Sequence, residues 1–164
     1  MTAGTFNAAD TAWMIGATAL VLMMTLPGLA LFYAGMIRRK NVLATLVQSV
    51  AATSIVSILW VVAGYSLAFV GGDSVIGTLD RFLLLGMEMN SANALAPNIP
   101  EALFMAYQMT FAVITCALVA GSVAERLRFD AFLAFCILWL MIVYVPSAHW
   151  VWGGGFLGTM GVLD

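Results

Sequence analysis

The side chains in this chain that could do chemistry are few, and most of them are aromatic. Trp150 and Trp152 stand in the stretch SAHWVWGGG, and Tyr107 and Phe111 lie four residues apart, a spacing that puts both rings on one face of a helix. Ring faces of this kind can hold a small cation by cation–π attraction, although an aromatic pair at this spacing is ordinarily a packing feature. Gln108 and Thr110 add polar groups nearby. The chain has one histidine, His149, and two cysteines, Cys116 and Cys136, with no CxxC pair and no histidine cluster. Such a set offers neither a protein-only metal site nor a disulfide framework, and the two thiols read as cysteines in apolar surroundings. His149 reads as a packing residue or a local hydrogen-bonding group. The closing FLGTMGVLD has glycines but neither the spacing nor the strand-to-helix context of a phosphate-binding loop.

Helices in an apolar solvent must position these groups. Of 164 residues, 63% are hydrophobic and 9% are charged, whereas a soluble domain carries roughly 25% charged residues. A chain so poor in charge has to use lipid or other apolar protein as part of its surroundings. Its net charge of -2 gives no footing for nucleic-acid binding. Phe129 to His149 would rise about 30 Å as a helix, enough for the hydrocarbon core of a bilayer, with Trp150 and Trp152 at interface depth.

Four such spans are predicted, at about 12–37, 42–69, 100–123 and 130–149. Asp10 or Thr11 is the expected cap of the first, and Pro27–Gly28 predicts a kink within it. The second carries Gln48, Ser49, Thr53, Ser54 and Ser57, which predict hydrogen bonds between helices or a pore-facing side. Residues 71–98 read as a loop, with a short helix or interfacial segment at Arg81 to Met89. Pro100 and Glu101 start the third span.

Five of the six basic residues fall in the turns at 38–41 and 124–130, and Arg81 stands alone on the other side. The positive-inside tendency makes both turns cytoplasmic, and the N-terminus, the long loop and HWVWGGG external. The first ten residues lack Lys and Arg, which argues against a secretory signal. The last nine read as an approach to a fifth helix capped by Asp164, so the chain is expected to be a fragment or truncated product of a longer protein.

The stretches ADTAW (9–13), PGLALFYAGMIRRKNVL (27–43), AERLRF (124–129) and VYVPSAHWVWGGG (143–155) closely resemble the N-terminal half of the ammonium transporter family (Amt/Mep/Rh), most closely its bacterial Amt branch. The resemblance covers almost the whole chain. It implies an all-α, polytopic, eleven-helix membrane protein of the cell inner membrane, with residues 1–164 supplying the first four helices of the membrane domain. It also implies a homotrimer with one path per subunit, no enzyme activity, no cofactor, and a PII-type regulatory protein as a partner. On this likeness Trp152 matches the external aromatic site that recruits ammonium, and Phe111 the gate beneath it. Tyr107 stands where relatives often have another aromatic residue, and Asp164 matches an acidic residue near the fifth helix. The two histidines that line the family's pore, and the serine at its external site, have no counterpart among these residues. Ammonium or ammonia transport in the complete protein is the implied function. An ammonium-sensing receptor domain and a nonconducting truncated membrane subunit are the alternatives.

Overall fold

The computed structural model describes residues 6–123, 126–162 and 164; Ala124 and Glu125 of the second basic turn lie outside the described residues. The described segment is all-α. Four long apolar helices make it up: α1 (Ala8–Met36), α2 (Arg39–Phe69), α3 (Glu101–Val123) and α4 (Phe129–Thr159). Each is long and apolar enough to cross a membrane.

α1 begins at Ala8, ahead of the expected Asp10 or Thr11 cap. Asn7 performs that role: its side-chain oxygen accepts from the Ala9 and Asp10 amides at 2.9 and 3.2 Å. The expected kink falls at Leu26, where φ -126 and ψ 108 leave the helical region directly before Pro27, the conformation that a following proline ring imposes. α3 packs closely on this helix. The Tyr33 hydroxyl donates to the Leu118 carbonyl at 3.1 Å, and a Cβ on Gly121 would strike the Tyr33 ring.

Three of the hydroxyls along α2 turn back onto their own helix rather than across to another. Ser49, Thr53 and Ser54 donate to carbonyls four residues earlier, at 3.1, 2.9 and 2.9 Å, which satisfies them without a partner helix. The core lies instead around Trp60, which is fully buried and donates its indole N–H to the Met105 carbonyl of α3 at 3.3 Å. Phe69 and Tyr144 stand 6.0 and 6.1 Å from its ring. The backbones of α2 and α4 both widen here into a π turn, at Trp60–Gly64 and Leu140–Tyr144. Pro146 follows at the start of the next turn, where its missing N–H is tolerated.

Between α2 and α3, Arg81 to Met89, read as a short helix or an interfacial segment, holds only a single tight helical turn, Phe82–Leu84, with Leu83 at φ +52 and Leu84 at φ +57. α4 is interrupted by a turn at 152–155 before its last short piece, Phe156–Thr159. The Ala8–Met23 portion of α1 has no buried residue, and Trp13 on it is 76% exposed. Apolar surface of that extent calls for lipid or further protein against it.

Candidate functional site

One face of α3 carries Phe104, Tyr107, Gln108 and Phe111, the i, i+3, i+4, i+7 stripe of a helix. Phe69 comes to it from the end of α2, Leu95 from the connecting loop and Trp152 from the turn in α4. Together these seven side chains line a cavity of about 360 Å³. The Tyr107 and Phe111 rings meet edge to face, 5.0 Å apart at 79°, and Phe104 meets Phe69 in the same way at 5.3 Å. Trp152 is 39% exposed.

Three of the four residues singled out from the sequence, Tyr107, Phe111 and Trp152, therefore share one cavity. Asp164 is exposed and is not among the lining residues. Sequence reasoning missed Phe69, Leu95 and Phe104. Phe104 could have been found, since it lies three residues before Tyr107 and seven before Phe111. Phe69 and Leu95 had no local signal, because they arrive from separate chain segments.

A polar frame stands beside this aromatic mouth. Arg81, which the sequence left alone, forms a two-pronged ion pair with Glu101 in the first turn of α3. Its Nε donates to Oε1 at 3.2 Å and its Nη2 to Oε2 at 3.1 Å. The Tyr65 hydroxyl donates to Glu101 Oε1 at 3.1 Å and accepts from Asn93 Nδ2 at 2.9 Å. Asn93 Nδ2 also donates to the Phe69 carbonyl at 3.0 Å, which carries the network to the cavity wall. A second cavity of about 540 Å³ lies along Asp80, Arg81, Asn93 and Glu101 and shares Phe69 and Leu95 with the first.

His149 is buried between two backbone carbonyls, with Nδ1 2.9 Å from the Ala68 oxygen and Nε2 2.9 Å from the Asp73 oxygen. On the same loop, the Asp73 carboxylate accepts from the amides of Val75 and Ile76, and these bonds hold it below its ordinary value. Cys116 and Cys136 are both free thiols, buried in the bundle. Among the described residues no group of three or more His, Cys, Asp and Glu could hold a metal ion.

An apolar, ring-lined mouth with one amide and one phenol can attract a small cation but cannot replace its hydration shell. Cation–π contact is worth about 0.5–2 kcal/mol, well short of the cost of removing water from an ion. The arrangement suits transient capture at an entrance better than tight storage.

The sequence model of the Ammonium Transporter Family matches residues 12–164. An ammonium transporter of Bacillus subtilis is 52% identical over 155 residues, covering 94% of this chain and 38% of the relative. One from Aquifex aeolicus is 45% identical over 157 residues, covering 94% and 36%. Among solved structures, Mep2 of Saccharomyces cerevisiae superposes with a TM-score of 0.85 at 36% identity, covering 98% of this chain and 37% of that one. Mep2 of Candida albicans gives 0.82 at 36% identity, covering 98% and 35%. The chain spans less than two-fifths of the length of the curated relatives it matches.

Proposed function

This chain belongs to the ammonium transporter family, a family of transporters and not of enzymes, and from that premise we propose that its aromatic mouth is the entrance station of an ammonium pathway. The observation that carries the proposal is the convergence of Trp152, Tyr107 and Phe111 on one cavity from two different helices. In this reading Trp152 and Tyr107 offer ring faces and a phenol to the arriving cation, and Phe111 narrows the way inward. The cation gives its proton to solvent water at the mouth before the apolar passage, because the neutral ammonia molecule left behind crosses at far lower cost than an ion. Potassium has no proton to release and is refused.

The finer features of the reading are proposals of the same kind. Residues 1–164 form the opening part of a larger membrane domain, an eleven-helix homotrimer in the cell inner membrane. The N-terminus is external and the turns at 38–41 and 124–130 are cytoplasmic, in keeping with the gathering of five basic residues there. A PII-type protein acts from that side. Asp164 contributes negative charge near the entrance, next to a fifth helix.

Replacing Trp152 with Leu in the complete transporter tests the reading. Uptake of methylammonium into proteoliposomes is expected to need about 10-fold more substrate for half-saturation, the size of one lost cation–π contact. Unchanged concentration dependence together with unchanged discrimination against potassium would remove Trp152 from the site.

A further inference from the structure

We propose that His149 is the positioning residue of the aromatic mouth: it clasps the turn of α4 that carries Trp152 to the end of α2 and to the loop that follows. The proposal rests on the reading of the mouth as a cation station.

The clasp is built from both ends of one residue. On the side-chain end, the two ring nitrogens reach the Ala68 carbonyl, at the end of α2, and the Asp73 carbonyl, each at 2.9 Å. An imidazole carries nitrogens on two separate edges, so it can face two carbonyls that no single amide nitrogen can span; a neutral ring donates to one of them and a protonated ring to both. On the backbone end, the His149 carbonyl accepts from the amides of Gly153 and Gly155, both at 3.0 Å. The turn that holds Trp152 is thus folded back onto the residue that anchors it.

Close packing of the turn follows. A Cβ on Gly153 would strike the Ala68 oxygen and lie 2.8 Å from His149 Nδ1, and Gly154 takes φ +92, where a side chain would be strained. Two flanking bonds fix the same loop to the same turn: Trp150 Nε1 donates to the Val75 carbonyl at 2.7 Å, and the Phe156 amide donates to the Ser74 carbonyl at 3.0 Å. The Asp73 carboxylate, by accepting from Val75 and Ile76, shapes the loop that presents these carbonyls. Trp152 lies inside this bracket, with its amide donating to the Ala148 carbonyl at 2.8 Å. Its indole is partly exposed and owes its place to the turn beneath it.

The test is a double-mutant cycle in the complete transporter, read as methylammonium uptake into proteoliposomes per folded molecule. His149→Gln keeps a hydrogen-bonding side chain but offers its donors from one nitrogen. It should raise the half-saturating concentration about 10-fold while the maximal rate stays within about twofold, as loss of a buried hydrogen bond at a positioning residue predicts. Combined with Trp152→Leu it should add nothing beyond the effect of Trp152→Leu alone. Shifts that multiply in the double variant, or a fall in maximal rate with no change in half-saturation, would overturn the clasp. Amide exchange at Gly153 and Gly155 reads the clasp without transport: about 10-fold faster exchange in His149→Gln supports it, and unchanged exchange overturns it. A neutral Trp152→Leu with accelerated exchange would leave the clasp standing and sink the cation station instead. If His149→Gln does not assemble, Trp150→Phe takes its place in the same cycle. A shift of about 3-fold that vanishes in the Trp152→Leu background supports the proposal, and an absent or multiplicative one contradicts it.

Discussion

Two ion pairs in this chain have the same 3.1 Å separation and opposite surroundings. Arg81 and Glu101, at the mouth end of the bundle, have side chains 25% and 3% exposed, whereas Arg128 and Asp130, at the other end, are 86% and 69% exposed. The first pair is joined by Tyr65 and Asn93 into a network that reaches the cavity wall, and the second is a local contact two residues apart in water. The mouth end is therefore held by groups that cannot be removed singly without leaving a buried polar atom unpaired. The Arg128–Asp130 pair joins near neighbours in the chain and stays largely open to solvent.

Glu101→Gln should produce the largest effect on this contrast. It leaves a largely buried Arg81 facing a neutral amide, and about 3 kcal/mol of stability should be lost, the lower part of the range for a broken buried pair because Arg81 keeps some solvent. Thermal unfolding of the purified complete protein would show it; a loss no greater than that of an exposed pair would erase the distinction between the two ends. Tyr65→Phe comes next. It keeps the ring beside Trp60 and Phe104 but removes the hydroxyl that joins Asn93 to Glu101, for an expected cost of about 1–2 kcal/mol.

A smaller effect appears in acid. The Val75 and Ile76 amides hold the Asp73 carboxyl below its ordinary value of 3.8. Its contribution is therefore complete above that value and disappears as the pH falls through the lowered one. Exchange at the Val75 and Ile76 amides, corrected for intrinsic rates, should accelerate only in that acid window, and Asp73→Asn, which keeps the acceptor oxygen, should abolish the acceleration. Acceleration at neutral pH would contradict the assignment. Asp130→Ala should change stability by about 0.5 kcal/mol or less, and a larger loss would mean that the exposed pair is structural after all.

How legible each region was in the sequence follows the same division. The four apolar helices could be read because membrane length and hydropathy act on every residue of a span, so local error averages out. The stripe on α3 could be read in part, because Tyr107, Gln108 and Phe111 repeat at the period of the helix. The start of α1 was misplaced because a single asparagine at residue 7, outside the apolar run, takes the cap. Ser49, Thr53 and Ser54 misled for a related reason: they have acceptors one turn back on their own helix, so their presence says little about neighbours. Glu101 announced a helix start but not its partner, since Arg81 lies twenty positions earlier, across turns with no periodicity. Phe69 was obscured in the same way, and for His149, read as a packing or hydrogen-bonding residue, the hidden part was its partners Ala68 and Asp73. Both roles depend on where two chain segments meet, and only the fold brings those segments together.

The most direct measurement is the structure of the complete transporter with methylammonium at concentrations that saturate uptake, compared with the substrate-free protein. The account predicts added density within the cavity bounded by Phe69, Phe104, Tyr107, Phe111 and Trp152, lost when Trp152 is replaced by Leu. Added density at another site, with this cavity unchanged, would contradict it.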